Sequence, residues 1–399
     1  MKNISSRSIF SILLIITSLT MSNLAIAEPQ AKFSAYENEV ITILDDIINA
    51  RLDTALSKTE RLTKKHPNFN LAQLIYSDLL LAKSRGITQF AELANGKNLN
   101  AQQILSEAKQ RWQYVEQVQH EERIPNVLLK LSAQQKHIVV VDLKKSRLYL
   151  FENEQGQPKL INDYYISGGK NGAGKRFEGD KKTPIGVYFV SRYLSPDTLP
   201  EFYGHGAFPI NYPNGWDRHL GRTGHGIWLH GNPLGTFTRP PLDSDGCVTI
   251  TNFEFDKIKP LIDVGKTPFI IGENINWQNR HKVLSHQKIF SAIIDKWVKD
   301  WESMDNQLFL SHYSQSFKTE KFTYDSWVKR RKNSNKQKTF IHVNLDNLSI
   351  FSYPSDENIM VVTFDQHYDS NNFSSNVQKR LYWKLEKDGV WRIFYEGLV

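Results

Sequence analysis

The chain has almost no cysteine and no long apolar segment. Cys247 is the only cysteine among 399 residues, so no disulfide can form within one chain. No stretch reaches the roughly eighteen consecutive apolar residues of a membrane-spanning helix. No run of Lys and Arg interleaved with aromatic residues indicates a nucleic-acid groove. These absences exclude a disulfide scaffold and argue against an integral membrane protein or a nucleic-acid-binding protein.

The N-terminal segment has the pattern of a secretory signal peptide. Lys2 and Arg7 precede an apolar run, and the small residues Ala25 and Ala27 end it, which predicts cleavage before Glu28. No cysteine lies near this point, so lipid anchoring there is excluded. Cleavage leaves 48 Lys and Arg against 42 Asp and Glu, a net charge of +6. We therefore expect a soluble protein of the periplasm, steered towards anionic wall polymers or lipid surfaces.

The spacing of apolar residues changes along the chain and predicts a multidomain protein after the signal peptide. Segment 28–135 has helical spacing and one hairpin that resembles a tetratricopeptide-type unit; it is either a helical appendage or a site for a protein partner. Segment 136–272 has short strands and predicts a mostly-β domain. The polar segment 273–283 is predicted as a linker. Segment 284–399 predicts a helix followed by a long antiparallel sheet, an α+β cone.

Three local patterns support these assignments. Apolar residues on either side of the polar segment Asp142 to Ser146 predict two strands joined by a turn. Breaks at residues 66–68 and at Gly86 bound one helix of the hairpin. In the last segment, Ile289, Ile293, Trp297 and Trp301 predict one helical stripe. The helix and the long strands after it resemble the nuclear-transport-factor-like (SnoaL-like) fold.

The chemistry is concentrated around the single cysteine. His230 ends a predicted strand, and Ser244-Asp245-Gly246-Cys247 precedes another. Cys247 comes seventeen residues after His230. A cysteine nucleophile needs a base, usually histidine, and backbone N–H donors for the oxyanion. Gly246 allows the tight turn that would present those amides. The pattern predicts a reactive cysteine in place of a buried inert one or one that pairs between molecules.

This motif resembles that of the YkuD-type L,D-transpeptidases, as does the upstream stretch 179–190. The resemblance covers roughly residues 137–271. It implies a β-rich fold and cysteine attack on the amide after the third residue of the peptidoglycan stem peptide. It further implies that Cys247 is the nucleophile and His230 the general base and acid. By the same resemblance, the amides of Gly246 and Cys247 form the oxyanion hole, with Gly231 and Ser244 beside the substrate.

The sequence departs from the family pattern at two positions. Many members have His where this chain has Asp245, and Arg where it has Thr249. Both positions lie near the substrate in the family, so the choice of acceptor is left open. Asp245 either orients the site, binds an amine, or stabilises a turn.

The remaining histidines indicate neither a metal site nor a cofactor. On a continuous strand, His225 would face away from His230, which favours a structural role over substrate binding. His205, His219, His225 and His230 lack the spacing of zinc ligands. We therefore predict no metal and no cofactor.

The glycine-rich stretch from Ser167 to Arg176 has the outline of a phosphate-binding loop. Such a loop needs Ser or Thr after its lysine and then a helix, whereas Arg176 follows Lys175 and a predicted strand comes next. We therefore predict no nucleotide binding and a surface loop beside the cleft. Lys175 and Arg176 would either contact stem-peptide carboxylates or be solvated.

Three functions follow as hypotheses. The first is an L,D-transpeptidase that acts on stem tetrapeptides through an acyl-enzyme at Cys247. The second is an L,D-carboxypeptidase that trims tetrapeptides to tripeptides, since the three-part layout resembles a branch of the family that sets cell shape. The third is a non-catalytic wall-binding scaffold. An enzymatic site in the C-terminal cone is disfavoured, because the sequence shows no acid–base pair there.

Overall fold

A computed structural model describes residues 33–85, 99–115 and 123–398. The predicted signal peptide, residues 1–27, and the predicted helix boundary at Gly86 lie outside these ranges. Within them, no helix is both long and apolar enough to cross a membrane. The predicted fold class is confirmed: N-terminal helices precede a β-rich domain and an α+β cone.

Four N-terminal helices of the described ranges share one apolar core. They are α1 (Ala35–Ile48), α2 (Leu52–Lys65), α3 (Asn70–Arg85) and α4 (Leu99–Val115). The predicted break at residues 66–68 separates α2 from α3. Val40, Ile43, Leu62 and Phe69 are almost fully buried in the shared core.

Residues 123–130 form strands, whereas the sequence predicted a helical region up to residue 135. Here β1 is Arg123–Pro125 and β2 is Leu128–Lys130. β1 pairs with residues 277–279, and β2 pairs with residues 350–351 of the C-terminal domain. Both partners are distant in sequence, so the pattern of such short segments could not reveal them.

The central domain packs a five-stranded sheet against a three-stranded one. Its elements are β3 (His137–Asp142), β4 (Arg147–Glu154), β5 (Gln157–Tyr165), β6 (Gly168–Gly169), β7 (Gly186–Phe189), β8 (Ala207–Pro209), α5 (Gly215–His219), β9 (Trp228–Gly231), β10 (Leu242–Ser244), β11 (Val248–Ile250), α6 (Asn252–Ile258) and β12 (Pro268–Gly272). The strand orders are β5-β4-β3-β12-β7 and β11-β9-β8. The predicted polar turn connects β3 and β4. Val139, Leu148, Leu229 and Val248 are fully buried between the two sheets.

The C-terminal domain is a cone of three helices against a long sheet. Its elements are β13 (Trp277–Asn279), α7 (Arg280–Glu302), α8 (Asn306–Ser311), β14 (Tyr313–Thr319), α9 (Tyr324–Asn335), β15 (Ile341–Tyr353), β16 (Asp356–Ser370), β17 (Phe373–Leu385) and β18 (Trp391–Leu398). The sheet order is β14-β18-β17-β16-β15-β2, so a strand from before the central domain joins it. The segment predicted as a linker, 273–283, contains β13 and the first turn of α7.

The buried face of α7 differs in part from the predicted stripe. Trp297 and Trp301 are buried, but Ile289 is 60% exposed and Phe290 lies in the core instead. Successive steps of four residues rotate by about 40° around a helix, because 3.6 residues make one turn. The predicted stripe therefore drifts away from the face that packs on the sheet.

Candidate active site

Two neighbouring parallel strands bring Cys247 and His230 together. In the register of β9 and β11, His230 lies opposite Thr249, and Leu229 lies opposite Val248. Paired residues of adjacent strands point to the same face, and side chains alternate along each strand. Cys247, two residues before Thr249, is therefore on the His230 face of the sheet. The loop of sixteen residues between them makes this parallel crossover possible.

One hydrogen bond fixes the tautomer of His230. Its Nδ1 lies 2.7 Å from the carbonyl oxygen of Gly231, which can only accept, so Nδ1 carries the proton and donates. Nε2 is then left with a free lone pair. Burial lowers the pKa of His230 to about 4. The imidazole is neutral at physiological pH and suited to accept a proton.

The thiol of Cys247 is also neutral. The side chain is half-buried, and Sγ donates to the carbonyl oxygen of Gly226 at 3.4 Å. Burial raises the pKa of the Cys247 thiol to about 11, although a backbone hydrogen bond at Trp228 and the charge of Arg239 act in the opposite direction. Free Cys247 is thus a protonated thiol on the same sheet face as a neutral imidazole, in place of a thiolate–imidazolium pair.

Ser244 and Gly246 shape the turn that presents Cys247. The hydroxyl of Ser244 donates to the Cys247 carbonyl at 2.6 Å and accepts from the Gly246 amide at 3.1 Å. The Gly246 amide therefore already has a partner, and the Cys247 amide is the better candidate for an oxyanion donor. Gly246 has φ +125°, and a Cβ there would lie 2.8 Å from the Lys182 carbonyl oxygen, so the position admits only glycine.

Gly231 is required by close packing behind His230. A Cβ at Gly231 would lie 2.1 Å from the side-chain oxygen of Asn252. That same oxygen accepts from the His205 amide at 3.0 Å, while the Asn252 nitrogen donates to the Asn232 carbonyl at 2.9 Å. Asn252 thus fastens the loop before β8 to the strand that carries His230. The sequence motif alone did not single out Asn252.

Asp245, His225 and Arg176 lie at the surface of the catalytic domain. Asp245 is exposed, and its carboxylate is 3.3 Å from the Lys170 ammonium. The His225 side chain is 82% exposed and lies in the loop before β9, so the strand alternation used to place it does not apply. Arg176 is exposed as well. Substrate contacts at these three positions stay predictions.

Lys175 is neither solvated nor free to meet a ligand. Its ammonium is buried and lies 2.9 Å from the Asp180 carboxylate. Asp180 also accepts from the amides of Arg176, Phe177 and Lys182. Desolvation opposes ionisation of Asp180, but the hydrogen bonds from Lys175 and these amides hold its pKa at about 2. Asp180 thus organises the glycine-rich stretch as a structural loop, and the next element is the strand β7.

Arg239 is the only basic residue between His230 and Cys247, and none of the sequence patterns singled it out. Its Nε donates to the Asp243 carboxylate at 2.9 Å, and Nη2 donates to the Asp243 carbonyl oxygen. The residue is 8% exposed, and its buried Nη1 has no hydrogen-bond partner within the described ranges. Its position as the one cation in the loop between the two catalytic candidates was a signal available in the sequence.

Two aromatic side chains cover His230. The rings of Tyr203 and Phe202 lie with their centroids 5.0 and 6.0 Å from the imidazole. Tyr203 also contacts Trp228 at 4.7 Å, and the Arg239 guanidinium lies 5.5 Å from the centre of the Phe202 ring. This aromatic cover, on the short turn Glu201–Tyr203, excludes water from the base and accounts for its desolvation.

The N-terminal helices hold the loop that joins His230 to Cys247. Phe237 of this loop packs against Tyr36 and Phe69 with ring centroids 5.0 Å apart, and its amide donates to the Asn68 carbonyl at 3.2 Å. The next residue, Thr238, donates to the buried Glu107 carboxylate at 3.2 Å. The helical region therefore supports the geometry of the site directly.

Two family models match separate segments of the chain. Residues 136–271 match the family model described as the L,D-transpeptidase catalytic domain (YkuD). Residues 289–397 match the model described as the Cds6 C-terminal NTF2-like domain. The protein named "Putative L,D-transpeptidase YafK" from Escherichia coli K12 is 35% identical over 113 residues, 28% of this chain. The chain spans 40% of the length of this relative.

Solved structures resemble more of the chain. Bd1075 of Bdellovibrio bacteriovorus is 28% identical with a TM-score of 0.61, over 69% of this chain and 98% of that one. The helical cell shape determining protein Pgp2 of Campylobacter jejuni is 26% identical with a TM-score of 0.57, over 68% of this chain and 95% of Pgp2. The likeness to these two proteins therefore extends beyond the catalytic domain.

Proposed function

Because residues 136–271 form an L,D-transpeptidase catalytic domain of the YkuD family, joined to a C-terminal NTF2-like domain, we propose that this protein transfers acyl groups of peptidoglycan stem peptides through Cys247. The observation that carries the proposal is the pairing of β9 with β11. This register supports the proposal because it puts Cys247 on the same face of the sheet as His230, whose Nδ1 donates to the Gly231 carbonyl oxygen. We place this activity in the periplasm, where the predicted signal peptide would direct the chain.

The first step makes a thioester. Cys247 Sγ attacks the carbonyl carbon of the third stem residue, and the thiol proton moves to His230 Nε2 as the C–S bond forms. The carbonyl electron pair moves onto oxygen, where the Cys247 amide stabilises it. On collapse, the C–N bond breaks, and His230 returns the proton to the leaving amine of the fourth residue.

The second step releases the acyl group. An acceptor gives a proton to His230 Nε2 and attacks the thioester carbon; the C–S bond then breaks and Cys247 is protonated again. An amine from a neighbouring stem gives a cross-link, and water gives a tripeptide. We place transpeptidation first because the catalytic-domain match is the more specific one. Hydrolysis is the second candidate, supported by the likeness over 95% of the cell-shape protein Pgp2.

Arg239 is the residue best placed to bind a carboxylate of the stem peptide. Asp243 fixes two nitrogens of its guanidinium, and the third, Nη1, is buried without a partner within the described ranges. A buried N–H group without an acceptor costs about 1–3 kcal/mol, which a substrate carboxylate would recover. Phe202 lies over the guanidinium, so the turn Glu201–Tyr203 must move as substrate enters.

Mass analysis of muropeptides tests the proposal. The chain from Glu28 to Val399 is incubated with tetrapeptide-rich wall material, beside the variants Cys247→Ala and His230→Gln. The control is His286→Gln, an exposed histidine of α7 in the C-terminal domain. We expect new cross-linked dimers or tripeptides with wild type and the control, and neither product with the other two variants.

The products separate the candidate functions. Dimers linked between third residues identify a transpeptidase, and tripeptides without dimers identify a carboxypeptidase. Unchanged material in all four reactions, with added amine acceptor present, would contradict the proposal and favour the wall-binding scaffold. Protein docking on the N-terminal helices stays a prediction that this assay does not address.

A further inference from the structure

A cavity lies between the catalytic and C-terminal domains. Its volume is about 270 Å³. The catalytic domain contributes Tyr212, Trp216 and Arg218 to its lining, and the C-terminal sheet contributes Arg380, Tyr382 and Tyr395. It is separate from the Cys247 site, whose residues do not line it.

Arg380 is a buried arginine without an acidic partner. Along β17, Lys379 faces the inside of the cone and pairs with Glu396 at 2.6 Å. The next residue, Arg380, faces the catalytic domain, where its guanidinium lies 5.1 Å from the centre of the Phe189 ring. It is 4% exposed, and no carboxylate of the described ranges lies within ion-pair distance of it.

The other buried arginines of the described ranges are all paired. Arg111 and Arg147 contact Glu37, and Arg239 contacts Asp243. Arginine remains charged at any physiological pH, and burying an unpaired charge is costly. Arg380 is therefore the one buried arginine of the described ranges without an acidic partner, and a bound anion would supply the missing negative charge.

The unpartnered atoms of Arg380 have the arrangement that a carboxylate requires. Nε and Nη2 are both buried and have no partner at good hydrogen-bond geometry within the described ranges, although the Tyr382 hydroxyl lies close enough to interact with the guanidinium. These two nitrogens form one edge of the guanidinium, which binds the two oxygens of a carboxylate side by side. Arg239 uses the same two nitrogens for its contacts with Asp243.

The surrounding groups add donors and an apolar wall. Trp216 Nε1 and the hydroxyls of Tyr382 and Tyr395 are buried and make no hydrogen bond of good geometry within the described ranges. The Tyr382 hydroxyl does lie near Arg380, and Trp216 lies near the Tyr353 hydroxyl. Trp216 can only donate, and each tyrosine can donate to an acceptor. The ring of Trp216 stacks on that of Tyr382 with centroids 5.0 Å apart. This lining favours a ligand with an anionic end and a small apolar body.

The charge of the lining and the volume of the cavity further restrict the class of ligand. The other cation of the lining, Arg218, is already bound to Glu320 at 3.0 Å and to the Pro213 carbonyl at 2.8 Å. One uncompensated positive charge favours a monoanion over a phosphate. The volume equals about nine water molecules at roughly 30 Å³ each, which suits a molecule of amino-acid to dipeptide size.

We propose that Arg380 binds the carboxylate of a small monocarboxylate, such as an amino acid, in the cavity between the catalytic and C-terminal domains. The ligand joins the guanidinium of one domain to the Trp216 wall of the other. The side chains around Nε and Nη2 must shift slightly to admit it, since both atoms are enclosed. This inference does not depend on acyl transfer at Cys247.

Calorimetric titration of the chain from Glu28 to Val399, in a buffer without carboxylates, tests the proposal. The probes are acetate, D-alanine, inorganic phosphate and acetamide, which has the shape of acetate without its charge. We expect saturable binding of acetate or D-alanine at one site per chain, and none of acetamide. Binding is lost in Arg380→Met and retained in Arg218→Met, which alters the rim of the same cavity.

Thermal unfolding provides a second readout. Without ligand, Arg380→Met should unfold at or above the wild-type temperature, because it removes an unpaired buried charge. Saturating acetate should raise the wild-type temperature by several degrees and leave Arg380→Met unchanged. Absence of saturable binding to wild type, equal binding of acetamide, or binding of phosphate alone would overturn the assignment. If Arg380→Met does not fold, the comparison of acetate with acetamide on wild type decides.

Discussion

The ionisation state of Cys247 gives a prediction that can be worked through quantitatively. Burial raises the pKa of this thiol from its usual 9.0 to about 11. At pH 7 the thiolate fraction is then about 1 in 10,000, against about 1 in 100 for an unperturbed thiol. Alkylation requires the thiolate, so labelling should be slower by about two orders of magnitude.

Labelling with iodoacetamide, followed by intact mass, measures this directly, because Cys247 is the only cysteine. The rate should rise about tenfold for each pH unit between 7 and 10, since the thiolate appears only as pH approaches the raised pKa. The midpoint of the profile, unlike its absolute rate, is independent of steric access. Denatured protein serves as the reference for an unperturbed thiol.

The variant His230→Gln sharpens the test. Desolvation is the main cause of the raised thiol pKa, so this variant should keep the wild-type labelling profile. A thiolate–imidazolium pair would instead give fast labelling that is already constant below pH 7 and is lost in His230→Gln. That result would refute the neutral pair and the mechanism built on it.

Three further predictions concern the surroundings of the site. Gly246→Ala should lower kcat by about a hundredfold, because the new Cβ meets the Lys182 carbonyl and displaces Cys247. Gly235→Ala, at φ +86° with no atom near the new Cβ, should retain activity. Equal losses of kcat in the two variants would contradict this prediction. Asp180→Asn should lower the free energy of unfolding by about 2 kcal/mol at pH 7, measured by denaturant titration. The difference should vanish as pH falls from about 4 to 2, because a carboxylate with a depressed pKa stabilises the fold only while it is ionised. A pH-independent difference would count against this prediction. Phe237→Ala should lower the free energy of unfolding by about 1–3 kcal/mol and reduce kcat/KM. Leu234→Ala, at an exposed position of the same loop, should change neither quantity. An unchanged kcat/KM in Phe237→Ala would show that the helices do not support the site.

The parts of the fold that the sequence predicted correctly depend on local patterns of apolar and polar residues. The strands on either side of residues 142–146 show an apolar run, a polar turn and a second apolar run, and each depends only on neighbours in the chain. The cysteine and the His-Gly pair stood out for a similar reason. Cys247 is unique in the chain, and a thiol nucleophile needs a base close by.

What the sequence could not show depends on contacts between distant segments. The pairing of β2 with β15 and the register of His230 with Thr249 are set by tertiary packing. The sequence left Lys175 as a candidate ligand contact, because nothing in it shows that the buried carboxylate of Asp180 pairs with Lys175. Likewise, nothing in the alternation along β17 indicates that Lys379 has an acidic partner and Arg380 has none.

The central claim is a covalent intermediate on Cys247, and intact-protein mass spectrometry tests it most directly. The chain from Glu28 to Val399 is mixed with soluble tetrapeptide muropeptides, quenched in acid within seconds and weighed. We predict an added mass on wild type equal to that of the muropeptide minus the released fourth amino acid, absent from Cys247→Ala and removed by hydroxylamine. Turnover of the same muropeptides by Cys247→Ala at the wild-type rate, without any adduct on wild type, would contradict the account.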